Sequence, residues 1–191
     1  EKARTYGYEY IAITDHSKFL RVANGLNETR LRKQREEIAL LNEKYDDIHI
    51  FAGVEMDILP NGTLDFSDEF LQEMDVVIAA IHSSFDQTEE EIMYRLCTAL
   101  ENPYVDIVAH PTGRIIGRRD GYRVVMDQLI EKAKETNTVL ELNANPMRFD
   151  LSTEHLRQAQ DAGVHIAINT DAHKTGTFYH MDYGVKMGRK A

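Results

Sequence analysis

The sequence predicts an α/β fold of parallel strands wound toward a barrel, and two observations carry that prediction. Short apolar, β-branched runs alternate with stretches of helical spacing along all 191 residues, with no linker, low-complexity tract or charge block between them. That is the pattern of repeated β-α-β units in one domain spanning residues 1–191. Second, six of the apolar runs end in a residue able to bind a metal or to orient one. Parallel strands place their C-terminal ends on one rim, so residues distant in sequence are expected to converge there.

The elements follow in order. Glu1–Tyr6 reads as the tail of a helix stopped by Gly7, and it feeds the strand Tyr10–Ile13, which leads into Asp15 and His16. A helix tail at residue one implies an earlier strand and helix, so the domain is expected to be truncated at its N-terminus. Asn27 is placed to cap Glu28–Tyr45, where Leu31, Ile38, Leu41 and Tyr45 recur about every 3.5 residues between charged positions. Ile48–Val54 runs into Glu55. Ser67 precedes a helix over Asp68–Met74, and Val76–Ile81 runs into His82. Thr88 with Glu91 three residues on has the capping-box spacing for the helix Glu89–Leu100. Val105–Ala109 ends in His110, and Pro111 stops the strand. A helix over Tyr122–Thr136 leads to Val139–Leu142, which ends in Asn143 and Asn145. Ser152 is placed to cap Thr153–Ala162, Gly163 stops it, and Val164–Ile168 runs into Asp171 and His173.

Composition narrows the chemistry. A net charge of −10 excludes a broad basic surface of the kind that coats DNA. It permits a focused phosphate site, because bound divalent ions supply positive charge that composition does not count. The single cysteine, Cys97, excludes an internal disulfide, fits a reducing cytoplasm and is expected as a buried structural thiol within its helix. No apolar run approaches the ~20 residues of a membrane span.

Four histidines sit at the same topological position, the end of an apolar strand: His16, His82, His110 and His173. One such histidine is commonly structural; four are hard to explain by chance. His49, His155, His165 and His180 lie elsewhere and read as structural or surface residues. Glu55 ends its strand as a carboxylate that is costly to bury unless paired or metal-bound, and it can bridge two ions. Asp171 and His173 are two apart, so in an extended segment they face the same side. Histidine mixed with carboxylate suits Zn²⁺, Mn²⁺ or Fe²⁺ better than Mg²⁺ or Ca²⁺. Asn143 and Asn145 either orient a water or phosphate oxygen or close the turn before Pro146. The loop Gly113–Gly121 carries Arg114, Arg118 and Arg119 directly after His110, placed to hold substrate phosphates or to form a solvated loop.

With those motifs placed, the chain resembles a PHP (polymerase and histidinol phosphatase) domain. The matching stretches are TDHS at Thr14–Ser17, GVE at Gly53–Glu55, AIHSS at Ala80–Ser84, AHP at Ala109–Pro111 and NTDAH at Asn169–His173. HPTGRIIGRR at His110–Arg119 and ELNANP at Glu141–Pro146 resemble most the C-terminal PHP domain of bacterial family X DNA polymerases. The resemblance implies a distorted (β/α)₇ barrel carrying up to three Mn²⁺ or Zn²⁺ ions. It implies that Glu55, His82 and His110 hold one ion, that Glu55 bridges to a second bound by Asp171, and that His16 and His173 hold the third. It also implies 3′→5′ exonuclease or 3′-end processing of DNA beside a polymerase domain, with Glu55, Asp171 and His173 catalytic. The family's opening His-x-His strand has no counterpart in this sequence, in line with a missing first strand. The family's final helical segment has none either, so the resemblance implies truncation at the C-terminus as well. A histidinol-phosphatase-type phosphomonoesterase and a degenerate structural module are the alternatives.

Overall fold

The computed structural model describes residues 1–191. Its centre is one sheet of six parallel strands in sequence order: β1 (Tyr10–His16), β2 (His49–Asp57), β3 (Val76–Ala80), β4 (Ile107–Val108), β5 (Val139–Asn143) and β6 (Ile166–Asn169). β1 and β6 are its two edges, so the sheet curves as an open half-barrel. A seventh strand is not part of these residues. Helices α1 (Lys2–Thr5), α2 (Glu28–Lys44), α3 (Asp68–Leu71), α4 (Glu89–Glu101), α5 (Met126–Thr136), α6 (Thr153–Ala162) and α7 (His180–Lys190) complete the fold. None is long and apolar enough to cross a membrane.

Strand alternation sorts the side chains into two layers. Val54 and Met56 of β2 and Val77 and Ala79 of β3 face the helices. There they join Leu31, Ile92, Leu96, Leu129 and Leu156 in the main core, most of them fully buried. The intervening residues face the concave side. Ile78, Ala80 and Ala109 form a second, smaller cluster there. On β2 the same alternation turns Glu55 and Asp57 to that side, since Glu55 is level with Ile78 and Asp57 with Ala80. His16 is level with Glu55 across β1 and β2. The apolar layer behind the sheet therefore fixes the height at which the polar rim begins.

Local chemistry explains most element boundaries. Asn27 and Ser152 accept the expected cap bonds, and Thr88 with Glu91 forms the full capping box. Ser67 starts α3 with no side-chain cap bond. Gly163, at φ 82°, ends α6 in the left-handed region. Three expectations are corrected. α5 begins at Met126 rather than Tyr122, because Tyr122 is held back by its N–H bond to the Thr112 carbonyl and by stacking on Phe85. β4 is only two residues long, and α3 stops at Leu71. α7 was not among the expected helices; it lies against the ends of β5 and β6, where Gly184 lets it approach Ala144 and Ile168. Cys97 is half-buried, and burial raises its thiol pKa.

Candidate metal centre

The rim is assembled on Glu55. Its Oε1 lies 3.1 Å from His82 Nε2 and 3.0 Å from His110 Nε2, and its Oε2 lies 3.5 Å from His16 Nδ1. Each partner arrives by a different route: His16 closes β1, His82 follows β3, and His110 follows the short β4. Donor atoms of His16, Glu55 and His82 all lie within 4.8 Å of one another. The imidazoles are packed edge to face, with ring centroids 4.9 Å apart for His16 and His82 and 5.2 Å apart for His82 and His110.

Asp171 and His173 approach from the end of β6. They meet as expected, His173 Nδ1 lying 3.5 Å from Asp171 Oδ1, but the segment is not extended. Asp171 sits at φ 49°, and this left-handed residue, rather than strand alternation, brings the two side chains together. The His173 ring lies 5.7 Å from that of His16, which links the pair to the other ligand candidates. His110 also has a positive φ, 31°. Sparsely populated backbone conformations at two rim residues are the kind of strain that persists where a site is over-determined.

Electrostatics follow from burial and contact. Burial opposes ionisation of Glu55, but bonds from His110 and His82 outweigh it and hold the carboxyl well below its usual range. Burial lowers His82, while bonds to Asp57 and Glu55 more than reverse this and raise it to about 9. His110 is raised on balance through Glu55, whereas His16 is lowered, chiefly by burial.

The donor set fits a divalent cation. His16 Nδ1 and His110 Nδ1 are buried without a hydrogen-bond partner, as is Asp57 Oδ2. Such atoms are costly unless something accepts their lone pairs, and imidazole nitrogens beside carboxylate oxygens are the ligands of Zn²⁺ and Mn²⁺ sites.

Supporting residues that the sequence reading missed surround the cluster. Asp57, fully buried, takes His82 Nδ1 at 3.2 Å and so orients the ring that meets Glu55. Glu141, also buried, accepts the His110 backbone N–H at 2.7 Å and the Asn169 amide at 3.0 Å. Burial raises its carboxyl to about 7. Arg148 places Nε 3.5 Å from Asp171 Oδ2. Asp57 follows Glu55 by two in the same strand, a signal that alternation offered. Glu141 is the lone charge inside an apolar run. Arg148 carried no such mark.

The remaining candidates divide. Asn143 donates to Asp171 Oδ2 at 3.1 Å and accepts from the Asn145 N–H, whereas Asn145 accepts from Met147 N–H within the turn. Arg114 donates to the carbonyls of Arg148 and Phe149. Arg119 donates twice to the Gly113 carbonyl and stacks 4.2 Å over Phe85. Both brace the loop after β4. Arg118 alone of the three is exposed with no hydrogen bond or ion pair from its side chain.

No family profile matches the sequence. Among characterised proteins, the DNA polymerase/3′-5′ exonuclease PolX of Bacillus subtilis is 60% identical over 184 residues, 96% of this chain and 32% of PolX. A probable phosphatase of Thermoanaerobacter sp. is 30% identical over 146 residues, 71% of this chain and 57% of the relative. The chain thus spans about a third of the former and little more than half of the latter. The crystal structure of histidinol phosphate phosphatase from Lactococcus lactis, complexed with zinc, L-histidinol and phosphate, superposes with a TM-score of 0.72 at 18% identity. It covers 99% of this chain and 84% of the phosphatase, and at that identity the likeness is one of fold. Together these likenesses fit a PHP (polymerase and histidinol phosphatase) domain, the family whose motifs the sequence carries.

Proposed function

We propose that this chain is a metal-dependent phosphoesterase domain of the family X polymerase type, hydrolysing phosphodiesters at DNA 3′ ends. The observation that carries the reading is the Glu55 cluster, in which one carboxylate is shared by three strand-end imidazoles, in a chain 60% identical to PolX. His16, Glu55, His82, His110, Asp171 and His173 would hold the ions, Mn²⁺ or Zn²⁺. A bound ion of this kind supplies Lewis acidity and lowers the pKa of a coordinated water toward ~7.

The protein's own groups do the rest. Asp57 fixes the ring of His82, and Glu141 fixes the strained backbone of His110. Asn143 and Arg148 converge on Asp171 and hold its carboxylate in one orientation. Hydrolysis adds water oxygen to phosphorus and breaks the bond to the 3′ oxygen of the shortened strand, which takes up a proton. That proton is one of the two carried by the attacking water, so the step balances through solvent with no further protein acid. Arg148 and Arg118 supply cationic donors for phosphate oxygens. A polymerase domain in the same chain follows from the PolX comparison and belongs to the same proposal.

The phosphatase relatives favour a second reading, hydrolysis of a small phosphomonoester. Rates on a 5′-labelled single strand, histidinol phosphate and p-nitrophenyl phosphate separate the two. Stepwise loss of 3′ nucleotides with Mn²⁺ is expected; turnover of histidinol phosphate without any action on DNA would establish the alternative.

A further inference from the structure

We infer that Ile116 and Met147 form a nucleobase-binding shelf beside the metal centre, which makes the substrate a nucleic-acid strand rather than a small phosphoester. The inference rests on the phosphodiesterase reading above and adds what holds the base.

Single exposed apolar side chains need no explanation. These two are different in how they are built. Ile116 is 47% exposed at the tip of the turn after β4, and Met147 is 45% exposed in the loop after β5. The Ile116 N–H donates to the Met147 carbonyl at 2.7 Å, so the two loops are joined where the side chains emerge. Arg114 adds bonds to the next two carbonyls, those of Arg148 and Phe149. Arg119 pins the base of the same turn to the Gly113 carbonyl. Two cations are thus used to hold the two loops that carry the exposed apolar pair.

Charge placement identifies the occupant. Met147 is followed directly by Arg148, whose Nε lies 3.5 Å from Asp171 Oδ2 at the candidate metal centre. Ile116 is followed after one glycine by Arg118, exposed and unpaired. An apolar pair flanked along the chain by two cations, one of them at the candidate metal centre, matches a strand that alternates flat bases with anionic phosphates. Bases pack on aliphatic as well as aromatic side chains, and arginines track the backbone. A small phosphomonoester has one phosphate and would leave both Arg118 and the shelf without a role.

The test uses the longest natural chain carrying these residues, loaded with Mn²⁺. Cleavage of a single-stranded oligonucleotide is compared with that of the same strand carrying abasic residues at its last two 3′ positions. Wild-type protein is expected to favour the base-bearing strand about tenfold in kcat/KM, the size of one stacked base. The Ile116→Ser/Met147→Ser variant is expected to lose that preference, and Arg118→Ala to flatten the salt dependence of KM by about 0.7 in log–log slope. Both substituted side chains are exposed, and circular dichroism checks that the variants fold. A wild-type preference that survives in the double variant, or no preference in wild type, overturns the shelf alone. Hydrolysis of p-nitrophenyl phosphate with no cleavage of either strand overturns the phosphodiesterase reading, and the shelf with it.

Discussion

Glu55 is bonded by the imidazoles of His82 and His110 and approached by that of His16, and the His82 ring has a support of its own behind it. Asp57 provides it from a fully buried position. Groups that orient metal-binding histidines usually contribute 10–100-fold in metal affinity. Asp57→Asn is therefore expected to weaken Zn²⁺ or Mn²⁺ binding by about that factor in isothermal titration, while leaving Glu55 in place. Unchanged affinity would mean that His82 needs no second anchor. Protonation gives a further outcome at the same residue. His82 is raised from an ordinary value near 6.5 to about 9, so its interaction with Glu55 and Asp57 stabilises metal-free protein fully below the lower value. That contribution is lost as pH climbs through about 9. In EDTA, Tm is expected to fall over this window, and to fall less in His82→Gln. Equal pH profiles for the two proteins would contradict the assignment.

At the scale of elements, the rim depends on how the ends of β2 and β3 are tied to α4. Arg95 of α4 is fully buried and donates to the carbonyls of Ile58 and Ser83 and to Gln87 Oε1. Ile58 follows Asp57 and Ser83 follows His82, so one guanidinium fork sets the spacing of two strand ends. Arg95→Met is expected to leave buried carbonyls unpaired and to cost about 2–4 kcal/mol in urea unfolding, since each unsatisfied buried group costs about 1–3 kcal/mol. Arg95→Lys keeps the charge but not the fork, and is expected to recover only part. Wild-type stability in Arg95→Met would show that the strand ends hold themselves. Gly53, in the GVE stretch, has a comparable role: a Cβ there would lie 2.5 Å from the Val76 carbonyl across the β2–β3 pair.

Much of this was legible in the sequence, for a physical reason. A strand buried on both faces is a continuous apolar run, so the first polar residue after it marks the rim; Glu55, His82 and His110 were marked in this way. His16 instead comes two residues after the first polar one, at the end of the part-exposed edge strand β1. What the sequence hid depends on approach in three dimensions. The left-handed turn at Asp171, the reach of Arg148 to it, and the internal use of Arg114 and Arg119 have no local pattern. Tyr122 extended a helical pattern that tertiary packing overrode, and α7 went unread as a helix.

For the whole molecule, the open half-barrel presents the Glu55 cluster at the C-terminal rim while the helices and main core lie behind the sheet. A chain of net charge −10 brings a polyanion to that rim only if cations are concentrated there. Arg148 beside Asp171, the exposed Arg118 and the ions that the proposed site would hold are the cations available for this. The central claim is that Glu55 organises a divalent-metal centre that cleaves phosphoesters. It is tested most directly by measuring bound metal and Mn²⁺-dependent 3′-nucleotide release together, in wild type and Glu55→Gln. The expected result is metal and activity in wild type, with loss of bound metal and at least a ~100-fold loss of rate in the variant. Full metal content and undiminished cleavage in Glu55→Gln would contradict the account.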